Sequence, residues 1–403
     1  GKKESAYKKL KKIFKKNKGD DQLRFNLAIV EQSLNFNEDA KENYKFLINK
    51  NNSHKAMVNL YLLLIKEANY FDALNIINKL IKYNTNVNNI IKDKAFVLYK
   101  LKQHKESIST CEKFLKNNND INLLNILGLN YMSKNNFEES EKIFKKALSI
   151  DKGNSLILNS LGRMYHEKRD SKNAQKYLEK AYDLNKNSYE IINNLAGFFR
   201  EEGEYKKSIS LYLKALEINP QNHTIINNLA KAYYDINELE KAKEHCLKAL
   251  KLKNDDGDIQ KFLSLIYLRQ QNYSAGWKYF DGRLKLSDFV ERNSSINKIR
   301  KKLLYENKLN KKSKILVLRE QGIGDEILYG TMYADLLKSC NDVTIECDKR
   351  LKNIFCNSFP NYKKSFIEFG EISLNENLLS KYDVAIYAGS LGKFFRTKIT
   401  DFN

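Results

Sequence analysis

The chain has 403 residues, with 71 Lys+Arg against 49 Asp+Glu and a formal charge of +22. Its five cysteines are odd in number and include no Cys-x-x-Cys pair, which argues against a disulfide scaffold and for a reducing, cytoplasmic setting. The five histidines show no metal-ligand spacing, and no apolar run approaches the ~20 residues that a membrane-spanning helix needs, so neither a metal site nor a membrane span is expected.

A charge of this size invites a nucleic-acid reading. The pattern opposes it. The lysines are spread over helix exteriors with glutamates between them, as in EESEKIFKKAL (138–148). The aromatics fall on repeated core positions and do not alternate with basic residues as stacking platforms. No specific nucleic-acid partner is expected.

Taken in chain order, residues 1–18 read as a lone helix, and the start at Gly1 in place of a methionine leads us to expect a fragment. A small residue then recurs at Ala6, Ala40, Ala73, Ser107, Ser140, Ala174, Ser208 and Ala242. Leu127, Leu161, Leu195, Leu229 and Leu263 each stand 34 residues from the next. The residues after them are Gly128, Gly162, Ala196, Ala230 and Ser264, and an aromatic stands four places on at Tyr131, Tyr165, Phe199, Tyr233 and Tyr267. This is the pattern of tetratricopeptide repeats. Each unit is two helices, and the small residues sit where the helices cross. The spacing predicts eight units, at 20–53, 54–87, 88–120, 121–154, 155–188, 189–222, 223–256 and 257–290. Their apolar faces are buried only by stacking, which predicts an all-α superhelix over 1–290 with a concave groove. Cys111 and Cys246 occupy the second-helix core position held elsewhere by Phe144, Leu178 and Tyr212, so they read as small core hydrophobes.

The last unit is atypical. Gly276 replaces the recurrent alanine, Arg283 stands at the later one, and Trp277, Tyr279 and Phe280 are placed to seal the stack or to bind the next domain. A basic linker is expected over 291–313, with one short helix. From Lys314 the period changes. Ile315–Leu318, Val343–Cys347, Phe366–Phe369 and Val384–Tyr387 read as strands, and Leu328, Met332 and Leu336 mark a helix over Glu326–Lys338. A partial α/β, Rossmann-like domain is therefore expected over 314–403.

Two sets of residues are candidates for binding or chemistry. The first is the turn EQGIGD (320–325) after the first strand. There Gly322 and Gly324 allow close backbone approach, and the helix start beyond them favours anions. The bland alternative is an ordinary strand-to-helix turn with Asp325 as a cap. The second set is an asparagine ladder, Asn125, Asn159, Asn193 and Asn227, with Asn194 and Asn228 beside the last two. Amides offer donor and acceptor to a peptide backbone, so Asn159, Asn193, Asn194, Asn227 and Asn228 are the candidate peptide-binding residues. Abundant asparagine on a solvated face is the alternative. The ladder resembles the peptide-gripping helices of O-linked N-acetylglucosamine transferase.

Trp277-x-Tyr279…Arg283, ILVLREQGIGDEILYGTMYADLL, VTIECDKRL and SLGKFFR (390–396) together resemble bacterial proteins that join tetratricopeptide repeats to a heptosyltransferase-type domain, glycosyltransferase family nine with a GT-B fold. The resemblance covers residues 276–403. It implies Asp325 as the catalytic base toward the acceptor hydroxyl, with Glu320, Gln321, Gly322 and Gly324 around the acceptor or donor phosphates. In that family the nucleotide-sugar donor binds mainly on a second Rossmann-like half. Residue 403 falls where that half would begin, so the chain is expected to be a piece of a longer transferase, inactive alone and holding no cofactor itself. A non-catalytic protein-interaction scaffold is the alternative. In both cases a protein or peptide in the repeat groove is the expected partner.

Overall fold

The structure is a computed structural model and describes every residue except 1, 84–86, 117, 287, 288, 290–302, 304–308, 321, 374 and 403. It comprises two compact units, Gly1–Lys186 and Asn187–Asn403.

In the first unit, α1 (Lys2–Lys16) precedes five helical hairpins. These are α2 (Asp21–Ser33) with α3 (Asn37–Asn51), α4 (His54–Lys66) with α5 (Tyr70–Lys82), and α6 (Val87–Lys100) with α7 (His104–Leu115). Then come α8 (Ile121–Ser133) with α9 (Phe137–Ile150) and α10 (Ser155–Glu167) with α11 (Ser171–Leu184). The second unit opens with three more: α12 (Tyr189–Glu201) with α13 (Tyr205–Ile218), α14 (His223–Asp235) with α15 (Leu239–Leu252), and α16 (Gly257–Arg269) with α17 (Tyr273–Phe280).

Local chemistry sets the period. Asp20, Ser53, Asp120, Asn154, Ser188, Asn222 and Asp256 cap first helices by accepting backbone N–H bonds. Each first helix ends at a left-handed residue: Asn35, Ala68, Lys102, Asn135, Arg169, Gly203, Asn237 or Gln271. The next amide donates to the carbonyl five residues back, as Asn136 does to Tyr131 (2.9 Å) and Asp170 to Tyr165 (2.9 Å), which is a Schellman turn. The recurrent aromatic is therefore also the residue whose carbonyl closes the turn.

The leucines at the 34-residue interval are all buried, each 3% exposed or less. The small residue after each admits the second helix. A Cβ on Gly128 would stand 2.5 Å from the Phe144 ring, and one on Gly162 would stand 2.7 Å from Leu178. Where the second helix carries serine, its hydroxyl donates across the crossing. Ser107 bonds the Ala95 carbonyl (2.8 Å), Ser140 that of Gly128 (2.9 Å) and Ser208 that of Ala196 (2.7 Å). Cys111 and Cys246 are fully buried, and burial pushes both thiols up to about 12, as expected of core residues. This part of the chain is a helical tetratricopeptide-repeat solenoid.

The chain continues into four strands: β1 (Lys314–Leu318), β2 (Asp342–Cys347), β3 (Phe366–Glu368) and β4 (Val384–Tyr387). They form one parallel sheet in the order β3-β2-β1-β4. Ile315, Val317 and Ile345 pack on one side against Tyr333, Leu336 and Phe355, while Leu316, Leu318 and Ala385 pack on the other against Tyr382 and Leu284.

Two expectations are corrected here. The single helix expected over 326–338 is two, α18 (Ile323–Gly330) and α19 (Tyr333–Ser339). Gly330 is pressed on Phe355, and the Thr331 hydroxyl bonds the Leu328 carbonyl (2.7 Å), which interrupts the helix. Leu328 is accordingly 62% exposed, and Tyr329, Met332, Tyr333, Leu336 and Leu337 form the inward face. Phe369, expected in the third strand, lies beyond it and is 42% exposed. The short helix expected in the linker falls on residues outside those described. Leu303, within that stretch, is buried and forms a parallel bridge to Ala385.

Candidate functional site

The carboxyl ends of β1 and β4 lie side by side, and the EQGIGD turn leaves β1 there. Glu320 is 1% exposed and accepts two bonds from Arg283, Nε to Oε2 at 2.9 Å and Nη2 to Oε1 at 2.8 Å. Gly389 N–H donates to the same Oε1 (2.5 Å). Arg283 lies in the 3-10 turn after α17 and also reaches Asp281 (3.0 Å) and Ser390 Oγ (3.0 Å). Lys393 closes the cluster on Asp281 (3.0 Å). Burial opposes both charges. Even so, Glu320 and Asp281 hold the Arg283 guanidinium above its ordinary value, and Arg283 and Lys393 hold the Asp281 carboxyl below the usual range. Trp277 packs on Gly392 and donates from Nε1 to the Arg396 carbonyl (2.7 Å). The three motif segments Trp277…Arg283, EQGIGD and SLGKFFR thus meet in one buried polar joint. The sequence pattern contained Arg283 and Ser390 but did not show that Arg283 pairs with both Glu320 and Ser390.

Gln321 lies outside the described residues. Gly322 is the residue before α18, in extended backbone with φ −97°. Its N–H donates to Asp325 Oδ2 (3.3 Å), so the Asp325 carboxylate caps the first turn of α18. No left-handed conformation calls for glycine at 322 or 324. A Cβ at Gly324 would meet open space, and one at Gly322 would meet only Asp325 at 3.9 Å. The fold itself does not demand these glycines, and the backbone there is open to approach.

Beside the turn, Glu326 is buried and accepts from Arg319 Nε (2.6 Å) and from the Asp348 amide (3.1 and 3.0 Å). Arg319 also meets Asp348 (3.1 Å). Hydrogen bonds from the Arg350 side chain and amide hold the Asp348 carboxyl well below the usual range. This network joins the ends of β1 and β2. Its members were legible only as the charged letters of LRE, DE and ECDKR.

The asparagines divide. Asn159 and Asn227 are buried, while Asn193, Asn194 and Asn228 are half-buried. Asn227 donates to Asp258 (2.9 Å), and Lys231 meets the same oxygen (2.7 Å). Asn228 donates to Asn193 (3.0 Å). Within the second unit the ladder therefore links the first helices α12, α14 and α16 to one another. Asn125, in the first unit, leaves its Oδ1 buried without a hydrogen bond.

Tetratricopeptide-repeat family profiles match residues 121–154, 156–188 and 223–256, and a TPR-repeat profile matches 199–237. The chain carries tetratricopeptide repeats, a class of module that typically binds protein partners. Among curated protein sequences none matches the chain. A tetratricopeptide repeat protein from Parabacteroides merdae superposes with a TM-score of 0.51 at 14% identity, over 61% of this chain and 98% of its own. A thermophilic TPR protein of Thermus thermophilus gives 0.43 at 18% identity, over 45% and 100% of the two chains. PilF of Pseudomonas aeruginosa gives 0.38 at 22%, over 40% and 74%. The first of these likenesses supports the helical-repeat fold. Among the described residues, no helix is long and apolar enough to cross a membrane.

Proposed function

We propose that the repeats hold a protein or peptide acceptor and that the α/β region belongs to a sugar-transferring site of the heptosyltransferase type, working on a nucleotide-sugar donor. One observation carries this reading. The glycine turn leaves the carboxyl end of β1, next to β4, where the strand order β3-β2-β1-β4 reverses direction. In doubly wound sheets ligands bind at such a switch point. The order and parallel register support a Rossmann-like half of a GT-B domain.

In this reading Asp325 is the general base toward the acceptor hydroxyl, placed in the first turn of α18. Gly322 and Gly324 let acceptor or donor phosphate approach the backbone. Glu320 shapes the floor of the cleft through Arg283, and Gln321 flanks it. Asn194 and Asn228 grip the acceptor's backbone from the repeats, aligned by Asn193 and Asn227, with Asn159 as their counterpart in the first unit.

The test is sugar transfer from a panel of nucleotide-sugar donors by the longest natural form of the protein. Asp325→Asn keeps the cap on α18 but removes the base, and should lower the rate by ~10²–10⁴-fold with an unchanged melting temperature. Full activity in that variant would reduce Asp325 to a cap.

The second reading is a scaffold that binds protein and transfers nothing. It is favoured by Glu320 and Asp325, both of which already serve the protein's own hydrogen bonds. Peptide binding without transfer from any donor would decide for it.

A further inference from the structure

The first unit contains a cavity of about 660 Å³ on the first helices of its early hairpins, and none of the candidate peptide-binding asparagines lines it. Phe25 of α2, Val58 and Leu62 of α4, and Ile90 of α6 form apolar walls. Leu62 is 43% exposed, which leaves its side chain unmatched inside a concave surface. Asp93, on α6, faces the same cavity. Among the described residues its one hydrogen bond comes from the Tyr61 hydroxyl, to Oδ2 at 2.9 Å. Lys92, the cation next to it in the chain, is paired with Asp120 at 2.6 Å. Asn59 and Asn89 also line the cavity, but among the described residues neither bonds Asp93, and Lys92 acts on it only through its field, so the carboxylate has one neutral donor and is electrostatically incomplete.

The missing group is a cation. A carboxylate that still has accepting capacity takes ammonium or guanidinium in charge-assisted bonds. The walls fix the rest: an apolar side chain must lie beside the charged one. Other basic groups line the cavity, His54 and Lys55. They set the competing expectation, an acidic or carboxyl-ended partner, but Lys55 is exposed, where its charge is screened, and His54 is half-buried with its ring against Tyr83. The desolvated Asp93 has the greater need.

We propose that this cavity is a docking site for a partner-protein segment that places a lysine or arginine on Asp93 and an adjacent apolar side chain against Leu62 and Phe25. The proposal rests on the reading that the repeats bind protein, and it names the partner's chemistry. Burial pushes the Asp93 carboxyl above the usual range, so it takes up a proton at a higher pH than an ordinary carboxylate does. Binding of a cation then requires the charged form and weakens as pH falls through that raised value. A carboxyl-ended partner would show the opposite trend. The titratable and charged groups facing the cavity are Asp93, Tyr61, His54, Lys55 and Lys92.

The experiment pans a phage-displayed library of random dodecapeptides against the whole chain and against Asp93→Asn and Leu62→Glu. Both variants should keep the fold, because asparagine still accepts from Tyr61 and position 62 is exposed; thermal melts check this. The expected selection from the parent chain is Lys or Arg beside Leu, Ile or Phe. Fluorescence titration of the selected peptides should then show at least a tenfold loss in each variant. Selection of acidic sequences, or of basic-apolar peptides whose affinity neither variant changes, overturns the proposal. Peptides that are instead lost on Asn194→Ala with Asn228→Ala overturn it while leaving the protein-binding reading intact. Recovery of no sequence from any round removes both.

Discussion

At the residue scale, the left-handed position that ends each first helix is the sharpest test of the repeat. Seven of the eight residues there carry a side chain, among them Ala68, Lys102 and Arg169, while Gly203 takes φ +82° without a Cβ to clash. Left-handed backbone costs an ordinary residue roughly 1–2 kcal/mol, and glycine loses about half of that advantage to its freer unfolded chain. Gly203→Ala should therefore destabilise by about 1 kcal/mol. Arg169→Gly, at an exposed site, should be neutral or stabilise by up to about 1 kcal/mol. Opposite shifts in urea midpoint would check both. If the two variants shifted the same way, the turn geometry would not be what sets these residues. The period was visible in the sequence because small residues and leucines report packing directly. The turn was not, because Asn, Ala, Lys, Arg and Gln share no chemistry; only their backbone angle is common.

At the scale of elements, α17 and its 3-10 extension belong structurally to the sheet as much as to the repeats. Arg283 is fully buried and its charge is balanced by Glu320 and Asp281, with Ser390 and Gly389 from beyond β4 completing the cluster. Removing one member of a buried pair leaves the other uncompensated, at a cost of about 3–5 kcal/mol. Glu320→Gln and Arg283→Met should each lower the unfolding midpoint strongly, and the double variant should recover part of the loss. Additive losses in that double-mutant cycle would show that the two charges do not depend on each other. Aromatic content and the departures at Gly276 and Arg283 marked α17 as unusual in the sequence. That Trp277 lies against Gly392 and that Glu320 faces inward were not legible. Both result from pairing β1 with β4 across the intervening chain, and nothing local specifies that pairing. The helix after β1 departs from its apparent period for a related reason. Leu328, Met332 and Leu336 fit a helical spacing, yet the break at Gly330–Thr331 rotates the inward face to Tyr329 and Tyr333. Of the candidate site, the glycine turn was legible from its letters, whereas the role of Glu320 needed its partner.

At the scale of the whole molecule, the charge of +22 is the property most open to misreading. Many cations are engaged within the helices or between them. Lys41 meets Glu38 (2.6 Å) and Glu67 (2.9 Å), Lys145 meets Glu141 (2.6 Å), and Lys243 meets Glu240 (2.6 Å). Others lie over aromatic rings, such as Lys207 over Phe199 at 3.5 Å and Arg269 over Tyr234 at 4.6 Å. These pairs hold aromatic faces that a base-stacking protein would leave open. What remains is a diffuse positive field, which attracts any polyanion and discriminates among none. Binding to duplex or single-stranded nucleic acid should therefore be weak and equal across sequences. If six or more phosphates are neutralised, affinity should fall by roughly 10³-fold or more between 50 and 200 mM salt. Fluorescence anisotropy with two unrelated oligonucleotides over a salt series measures this. A sequence preference that persists at physiological salt would mean that the groove of the repeats reads nucleic acid, and the protein-binding assignment would have to be given up.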